Sequence, residues 1–473
     1  MMLIIVLLLV LGYLMIATGH LTGVNRAAIA MFICTVGWVV YVCWGSDFVT
    51  SLHPRDYVDY LGNQPPSSQA VKYYIYEEVF LKYVGRAASI VMFLLATMTI
   101  IEILSNNGCF DFITEWIRTR NSKRLLWTIT LATFIISANL DNLTTATMML
   151  VIMHGIVQNR RQRMLIGSAI VLAANSGGCM TVIGDPAGLL MWDKGAITAT
   201  QFSKHLFLPA LMAWIVPTAL IGRQLPQKLD TQWAAPPYRG DDTRLNRWQR
   251  MVMLFVGIGG LWFIPTFHNI TKLSPFLGAL CVLSVLWVVN EAFNRKLINA
   301  DQMAQRRIPR ALQYGAIQQM LFVMGIMLGM GVMNETGVMG YIAAWIDYTV
   351  HSVWVVGICS GLLSAVVDTF TVAITNISLY PVVDSSQLRL WADSDYMGCF
   401  VENGLYWRII AYCTAIGGCL LSVGSTSGLA LMKMEHIRLG WYLKSVTPKV
   451  LVGFAVGLAL LWIENIIFLP YQP

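Results

Sequence analysis

Two ten-residue stretches lie far apart in the chain and resemble each other: SANLDNLTTA at residues 137–146 and SAVVDTFTVA at residues 364–373. Ser, Ala, Asp, Thr and Ala occur at matching positions in both. Each stretch places one aspartate, Asp141 or Asp368, inside a long apolar run. Apolar segments resemble one another by composition alone, but composition does not explain matches at polar positions. The two stretches therefore indicate an internal repeat.

A second pair of related stretches follows the first pair in the same order. GGCMTVIGDPAGL begins at Gly177 and GGCLLSVGSTSGL begins at Gly417. A weaker match upstream aligns residues 93–117 with residues 322–346. Gly-Gly and Asp-Pro interrupt helices. Each half of the chain is therefore predicted to contain a broken helix, at residues 164–198 and 407–432.

The composition indicates a membrane protein. Of 473 residues, 56% are hydrophobic and 12% are charged, whereas soluble domains carry about 25% charged residues. Too few polar side chains are present for a soluble fold, and the same composition excludes disorder and a disulfide-rich secreted fold. A membrane-spanning helix needs about 20 apolar residues, which predicts spans at residues 2–19, 26–45, 87–106, 205–223, 250–267, 274–291, 314–334 and 446–467.

The two apolar runs that carry the aspartates are too polar at their centres to be single spans. Asn139 and Asp141 lie in the middle of residues 124–155, and Asp368 lies in the middle of residues 353–380. A charged side chain at the centre of a bilayer costs about 3 kcal/mol or more. A re-entrant hairpin, whose polar tip is buried in protein, avoids this cost. We therefore expect two re-entrant helical hairpins at these residues.

The distribution of charge indicates that the hairpins enter from opposite sides. The net charge of +7 is attributed to cytoplasmic loops, and no nucleic-acid partner is expected. Basic residues flank the first hairpin on both sides: Arg118, Arg120, Lys123, Arg124, Arg160, Arg161 and Arg163. Acidic residues follow the second hairpin: Asp384, Asp393, Asp395 and Glu402. This arrangement predicts an inverted repeat with both termini on the periplasmic side.

Four regions follow from this topology. They are the N-terminal spans with an external loop (1–86), the first repeat with a hairpin that enters from the cytoplasm (87–223), a cytoplasmic linker with scaffold spans (224–313), and the second repeat with a hairpin that enters from outside (314–473).

The polar residues at the hairpin tips and helix breaks are oxygen donors, which suits a hard cation such as Na⁺. A carboxylate in a poorly hydrated site favours a proton or a bound cation, and competition between the two is a simple mechanism for exchange. A structural alternative is that each aspartate caps a broken helix. The predicted proton- or cation-binding carboxylates are Asp141, Asp368 and Asp185. The predicted Na⁺ ligands are Asp141, Asn142, Thr144, Thr145, Asn175, Gly177, Thr181, Asp368, Thr369, Thr371, Ser422 and Ser425. Accessory roles are considered for Glu102 and Glu335.

At these motifs the chain resembles the ion transporter superfamily, and within it the NhaD-type Na⁺/H⁺ antiporters. The resemblance rests on LDNLTTATMM from Leu140, AANSGGCMTVIGDPAGLLMW from Ala173 and SAVVDTFTVA from Ser364, together with the stretch that begins at Gly417. It implies a homodimer in a bacterial inner membrane, with a scaffold and a mobile transport domain that work by an elevator mechanism. It also implies Na⁺, with Li⁺, and H⁺ as transported ions, hairpin-tip ion sites, and no cofactor.

The chain departs from the usual pattern of that family in two places. Asp368-Thr369 stands where the family usually has Asp-Asn, and Phe370-Thr371 stands where it usually has Val-Pro. Thr369 keeps an oxygen donor, but the change puts the second ion site in question. The GDPAG run from Gly184 is closer to the arsenite and anion permeases.

Two other functions remain open at the sequence level. A Na⁺- or H⁺-coupled carboxylate or arsenite permease would share the fold. Asp141 and Asp368 would repel an anionic substrate, and neither the tips nor the breaks contain Arg or Lys. An intramembrane aspartyl protease is more remote, because Val182 replaces the first glycine of its Gly-x-Gly-Asp motif. The chain is therefore not expected to be an enzyme.

Overall fold

The computed structural model describes residues 2–62, 65–117, 119–230, 245–294, 310–390 and 393–468. Arg118 and parts of the predicted linker, at residues 231–244 and 295–309, lie outside these described residues. The helices of the first part of the chain are α1 (Met2–Ala17), α2 (Gly19–Thr22), α3 (Arg26–Cys43), α4 (Gly45–Leu52), α5 (Pro54–Leu61), α6 (Ser68–Tyr74), α7 (Leu81–Asn106), α8 (Asp111–Trp116), α9 (Ser122–Ser137), α10 (Asn142–Ile156), α11 (Arg160–Met180), α12 (Pro186–Asp193) and α13 (Ala199–Gly222).

The second part of the described chain is also helical. Its helices are α14 (Arg247–Leu254), α15 (Gly260–Thr271), α16 (Pro275–Asn294), α17 (Arg310–Glu335), α18 (Val338–Thr349), α19 (Val353–Val366), α20 (Thr369–Leu379), α21 (Ser394–Met397), α22 (Leu405–Gly417), α23 (Thr426–Glu435), α24 (Leu439–Ser445) and α25 (Thr447–Phe468). Short π-helical turns join α6 to α7 and α14 to α15.

The protein is an integral membrane protein. The described residues contain eight helices that are long and apolar enough to cross a membrane: Arg26–Cys43, Ser68–Asn106, Arg160–Met180, Ala199–Gly222, Arg247–Thr271, Pro275–Phe293, Ala316–Glu335 and Thr447–Ile467. The polytopic all-α class predicted from composition is confirmed in these residues.

The segment between the second and third spans is more helical than the sequence suggested. The polar segment at residues 46–86, with Pro65-Pro66 and several tyrosines, is expected from the sequence to form an interfacial or external loop. The structure instead has short helices α4 and α5, and a helix that begins at Ser68 and continues through a π-helical turn to Asn106. The hydroxyl of Ser67 accepts a hydrogen bond from the N–H of Ala70 at 3.1 Å, and this N-cap starts the helix well before the apolar span.

Helix breaks lie at both aspartate motifs and at both glycine-rich motifs. Residues 138–141 separate α9 from α10, and residues 367–368 separate α19 from α20. Residues 181–185 separate α11 from α12, and residues 418–425 separate α22 from α23. In each case the residue before the second helix is an Asp or Ser that caps it, which is why the chain resumes a helix there.

Two long helices outside the aspartate motifs face the broken helices. Helix α3 packs along α17, and α17 also contacts α20. The most buried of the potential spans is α11, in which 83% of an apolar 18-residue stretch is buried inside the protein. Helix α11 packs against α9, α10, α13, α22 and α23. Its polar residues are therefore surrounded by protein rather than by lipid.

Candidate cation-binding site

The first tip centres on Asp141, which is 2% exposed. Its Oδ2 accepts hydrogen bonds from the backbone N–H and the hydroxyl of Thr144, at 3.0 and 3.2 Å. Its Oδ1 accepts a hydrogen bond from Nε2 of Gln319 on α17 at 3.2 Å. One carboxylate oxygen thus caps α10, and the other faces a neutral amide from a different part of the fold.

The amide of Asn142 joins the first tip to the first helix break. Its Nδ2 donates to Oδ1 of Asn175 at 3.2 Å and lies 3.4 Å from Oδ2 of Asp185. The other oxygen of Asp185 caps α12 by accepting from the N–H of Ala187 at 3.0 Å. The tip and the break therefore form one buried polar group that contains two carboxylates.

The second tip centres on Asp368, which is 1% exposed. Its Oδ2 accepts from the backbone N–H groups of Phe370 and Thr371 at 3.1 and 3.3 Å, and from the Thr371 hydroxyl at 3.5 Å. Its Oδ1 lies 3.5 Å from Nη1 of Arg26 on α3. Nη2 of Arg26 donates to the carbonyl of Val423 at 2.8 Å. The second tip thus has a cationic neighbour.

The two halves of the chain meet at this group. Nδ2 of Asn175 donates to Oγ of Ser425 at 3.3 Å. The hydroxyl of Ser427 donates to the carbonyl of Asn142 at 3.2 Å. The first tip is therefore completed by residues from the helix break of the other half.

Repeat-related positions make the same hydrogen bond in each half. The Ser137 hydroxyl donates to the Ala174 carbonyl at 2.7 Å, and the Ser364 hydroxyl donates to the Thr414 carbonyl at 2.7 Å. Both serines lie four residues before the tip aspartate, and both carbonyls lie three residues before the Gly-Gly pair. The same local contact is thus built twice.

Close backbone packing at the Gly-Gly pairs is also repeated. A Cβ at Gly177 would lie 2.3 Å from the carbonyl oxygen of Phe134, and a Cβ at Gly417 would lie 2.3 Å from that of Gly361. No side chain fits at either position without a backbone shift. This close packing concerns the Cα side of Gly177 against α9, and the role of Gly177 as an ion ligand stays a prediction.

The remaining predicted ligands are placed around these two tips. The Thr181 hydroxyl donates to the Ala138 carbonyl at 2.5 Å and accepts from the N–H of Gly184. The N–H of Thr369 donates to the Gly424 carbonyl at 3.0 Å. Among the described residues, the buried hydroxyls with no hydrogen-bond partner include Thr145, Ser176 and Ser422. Such hydroxyls still have capacity to bind a further group.

The accessory carboxylates Glu102 and Glu335 lie on α7 and α17. Glu335 is buried in a separate cluster, where it accepts hydrogen bonds from Tyr83 at 2.9 Å and Tyr41 at 3.4 Å and contacts His53 Nε2 at 2.7 Å. Glu102 lies near the end of α7 and is half-buried. The described partners of Glu335 are thus residues of α3, of the segment after α4 and of α7, and not residues of the tips.

Sequence reasoning missed Gln319 and Arg26. Gln319 lies inside a predicted apolar span, and a single neutral amide in such a span does not by itself indicate a binding site. Arg26 is the first residue of α3, which follows the N-cap Asn25, and a basic residue at the end of a span is ordinarily a topology signal. A buried carboxylate needs a polar or charged partner. The sequence therefore predicts that each aspartate has such a partner, but it does not identify the residue.

The comparisons with known proteins agree on a transporter. A protein-family model described as a citrate transporter matches residues 1–392. Sodium/proton antiporter 1 of Arabidopsis thaliana is 31% identical over 375 residues, which is 79% of this chain and 62% of that protein. The Na⁺/H⁺ antiporter NhaD of Vibrio cholerae is 26% identical over 431 residues, which is 85% of this chain and 83% of that protein. The chain thus spans less than two thirds of the Arabidopsis relative.

Two solved structures share the overall fold. The YdaH transporter of Alcanivorax borkumensis has a TM-score of 0.59 at 12% identity, covering 95% of this chain and 100% of that chain. MtrF of Neisseria gonorrhoeae has a TM-score of 0.51 at 13% identity, covering 91% and 94%. At these identities the likeness concerns the fold alone.

Proposed function

The chain belongs to the citrate transporter family, CitMHS, whose model matches residues 1–392, and from that premise we propose that it exchanges Na⁺ for H⁺ across the membrane. It is a membrane transporter rather than an enzyme. The names of its relatives support the exchange reaction, since antiporters of Arabidopsis thaliana and Vibrio cholerae carry that description.

The observation that carries the proposal is the environment of Asp141. This carboxylate is buried, and the partner of its Oδ1 is a neutral amide, Gln319. A buried carboxylate without a cationic partner is costly when ionised. It is stabilised either by taking a proton or by binding a cation, and it does not do both at once. Asp141 is therefore proposed as the group at which Na⁺ and H⁺ compete.

The first tip supplies the other oxygen donors that a monovalent cation needs. Thr144 donates to Asp141, and the next residue in the chain, Asn142, is hydrogen-bonded to Asn175 and Asp185. The N-terminus of α10 also points at the carboxylate, and its dipole stabilises negative charge there. Capping and ion binding are compatible, because one oxygen of Asp141 caps the helix, while the other accepts one hydrogen bond from Gln319 and keeps a second lone pair for a cation.

The proposed mechanism of movement rests on the repeated contacts. The matched serine and glycine contacts of the two halves support an inverted repeat in which α9–α10 and α19–α20 are re-entrant hairpins. The proposal assigns the broken helices and hairpins to a moving transport domain and α3 and α17 to the scaffold. Arg26 and Gln319 would then make contacts that change when the transport domain moves.

The remaining parts of the proposal follow the sequence resemblance. Li⁺ is proposed as a second transported cation because it is also a hard monovalent ion. A homodimer in a bacterial inner membrane, with both termini periplasmic, completes the proposed arrangement.

A carboxylate transporter is the second candidate function. The family description names citrate, and Arg26 supplies a guanidinium near the second tip, which the sequence motifs did not contain. Arg26 is already opposite Asp368, however, and Asp141 and Asp185 would repel an anion at the first tip. These carboxylates favour a cation over a citrate anion.

Everted membrane vesicles with an imposed pH gradient test the proposed function. Addition of NaCl or LiCl between neutral and alkaline pH should collapse the gradient in vesicles that contain the protein and not in vesicles that lack it. Sodium citrate and NaCl at equal Na⁺ should act equally. A gradient that no cation collapses would refute the exchange reaction, and a response specific to citrate would support the second candidate.

A further inference from the structure

The two tip carboxylates differ in the charge of the residue that faces them. Asp141 Oδ1 accepts a hydrogen bond from a neutral amide, whereas Asp368 Oδ1 lies 3.5 Å from the guanidinium of Arg26. Among the ion pairs of the described residues, the Arg26–Asp368 pair is the one that involves a tip carboxylate. The repeat therefore has one tip with a built-in cation and one without.

Arg26 is held in place by more than its contact with Asp368. Nη2 of Arg26 donates to the Val423 carbonyl at 2.8 Å, and this carbonyl belongs to the helix break of the same half. The Arg26 side chain is 12% exposed and that of Asp368 is 1% exposed. A guanidinium has separate N–H groups that can serve two acceptors in fixed directions, so Arg26 occupies the tip and the break together.

The oxygen atoms around the Arg26 guanidinium are of the kinds that bind a metal cation. A carboxylate oxygen and a carbonyl freed by a helix break are the ligands that transporters use for Na⁺, and here both face a guanidinium. A transported cation at Asp368 would have to sit beside this fixed positive charge, and the carboxylate that would attract it is already neutralised. In a poorly hydrated site, repulsion between like charges is strong.

We propose that Arg26 is an internal cation that occupies the second tip, so that each chain binds one transported Na⁺, at Asp141. This inference rests on the proposed Na⁺/H⁺ exchange and specifies its ion site. Asp368 then acts as a positioning residue that anchors α3 to the second tip rather than as an ion ligand.

Two measurements on the purified full-length chain in lipid nanodiscs test this assignment. The first is the number of ²²Na⁺ ions bound per chain, for the wild type, D141N, D368N, R26Q and the double variant R26Q/D368N. The second is the thermal melting midpoint of the same proteins without Na⁺. R408Q serves as a control for the loss of a half-buried arginine whose described hydrogen bond is outside the tips, since Arg408 donates to the Asn403 carbonyl.

The wild type should bind one Na⁺ per chain, D141N none, and R26Q/D368N one. R26Q should bind two, because removal of the guanidinium opens the second tip. Each single variant at the pair should lower the melting midpoint, because it leaves a buried charge without its partner, and the double variant should recover most of the loss. R408Q should still bind one.

Two Na⁺ per wild-type chain, with one lost in D368N, would overturn the assignment. A double variant that melts no higher than the single variants would overturn it as well, and this result does not depend on Na⁺. Failure of the proposed function looks different. In that case the wild type and R26Q would bind no Na⁺, while the melting midpoints would still decide whether Arg26 and Asp368 are paired.

Discussion

The two tips of the repeat share their backbone architecture and differ in their electrostatics. In both, an aspartate caps the second helix of a pair with one oxygen and directs the other oxygen at a facing helix. At Asp141 that helix supplies the amide of Gln319, and at Asp368 it supplies the guanidinium of Arg26. The same backbone motif can therefore serve a transported ion in one half and a fixed ion pair in the other.

Under the proposed assignment, the number of tip aspartates does not equal the number of ion sites. A buried carboxylate needs a compensating charge or a proton. The carboxylate can bind a transported ion only if the protein itself does not supply that charge. At the second tip the protein supplies it through Arg26. At the first tip, the proposed exchange reaction leaves this compensation to Na⁺ or H⁺.

The largest effect is expected from Asp141→Asn. The asparagine amide keeps the size of the side chain, but it cannot take up a proton and has no negative charge to attract Na⁺. Exchange in everted vesicles should therefore fall at least about 100-fold. At 1.36 kcal/mol per tenfold, this is a loss of about 2.7 kcal/mol or more. Asp193→Asn is the matched control, because Asp193 is partly buried and accepts from Ser274 outside the tips. Exchange near the wild-type rate in Asp141→Asn would place the ion site elsewhere.

Asp368→Asn should also reduce exchange strongly, but for a different reason. It leaves Arg26 buried without its partner, and the unpaired charge distorts the second tip. Adding Arg26→Gln should restore at least about a tenth of the wild-type rate, because both charges are then gone. Equal inactivity of the single and double variants in the same vesicle assay would make Asp368 a direct participant in exchange.

Gln319→Lys should convert the first tip into a copy of the second. A lysine at this position can pair with Asp141 and take the place of Na⁺, so exchange should fall at least about tenfold even though both aspartates remain. Gln319→Leu removes the hydrogen bond without adding charge and should change the apparent KM for Na⁺ by only a few-fold, in line with about 1 kcal/mol for one hydrogen bond. Similar rates in the two variants would show that charge at this position does not matter.

The smallest expected effect is a difference in stability loss between two Gly→Ala substitutions, one after the helix break of each half. A Cβ at Gly428 would lie 2.2 Å from the Ser422 carbonyl oxygen, whereas a Cβ at Gly188 would lie 3.3 Å from that of Thr181. Gly428→Ala should therefore destabilise the protein by about 1–3 kcal/mol, and Gly188→Ala by less. The melting midpoints in nanodiscs would show this order, with Gly85→Ala, where a Cβ meets open space, as the control.

The positions of the helix breaks were predictable because local chemistry sets them. An Asp or Ser precedes each of the four resumed helices, and a Gly-Gly pair lies at two of the four breaks, those between α11 and α12 and between α22 and α23. These are short-range signals, and the breaks lie at these residues. The extension of α7 back to Ser68 was not predicted, since Pro65-Pro66 and the polar residues after it resemble a loop. The cap at Ser67 and the packing of Val71, Tyr74 and Ile75 into the core outweigh that composition.

The partners of the two aspartates could not be predicted, because they are tertiary contacts. Arg26 lies more than 300 positions from Asp368, and Gln319 lies 178 positions from Asp141. Neither has a spacing or a motif that links it to its carboxylate. The tip and break motifs contain no basic residue, but in the folded protein Arg26 faces the second tip.

Competition between Na⁺ and H⁺ at Asp141 is the central claim, and the pH dependence of the apparent KM for Na⁺ tests it most directly. In proteoliposomes that contain the purified protein, the KM for Na⁺ should rise up to about tenfold for each unit by which the pH falls in the acidic range. The maximal rate at saturating Na⁺ should stay nearly constant. Both results are expected because one proton displaces one Na⁺ from the same carboxylate. A KM that is independent of pH, with only the maximal rate changing, would contradict the account.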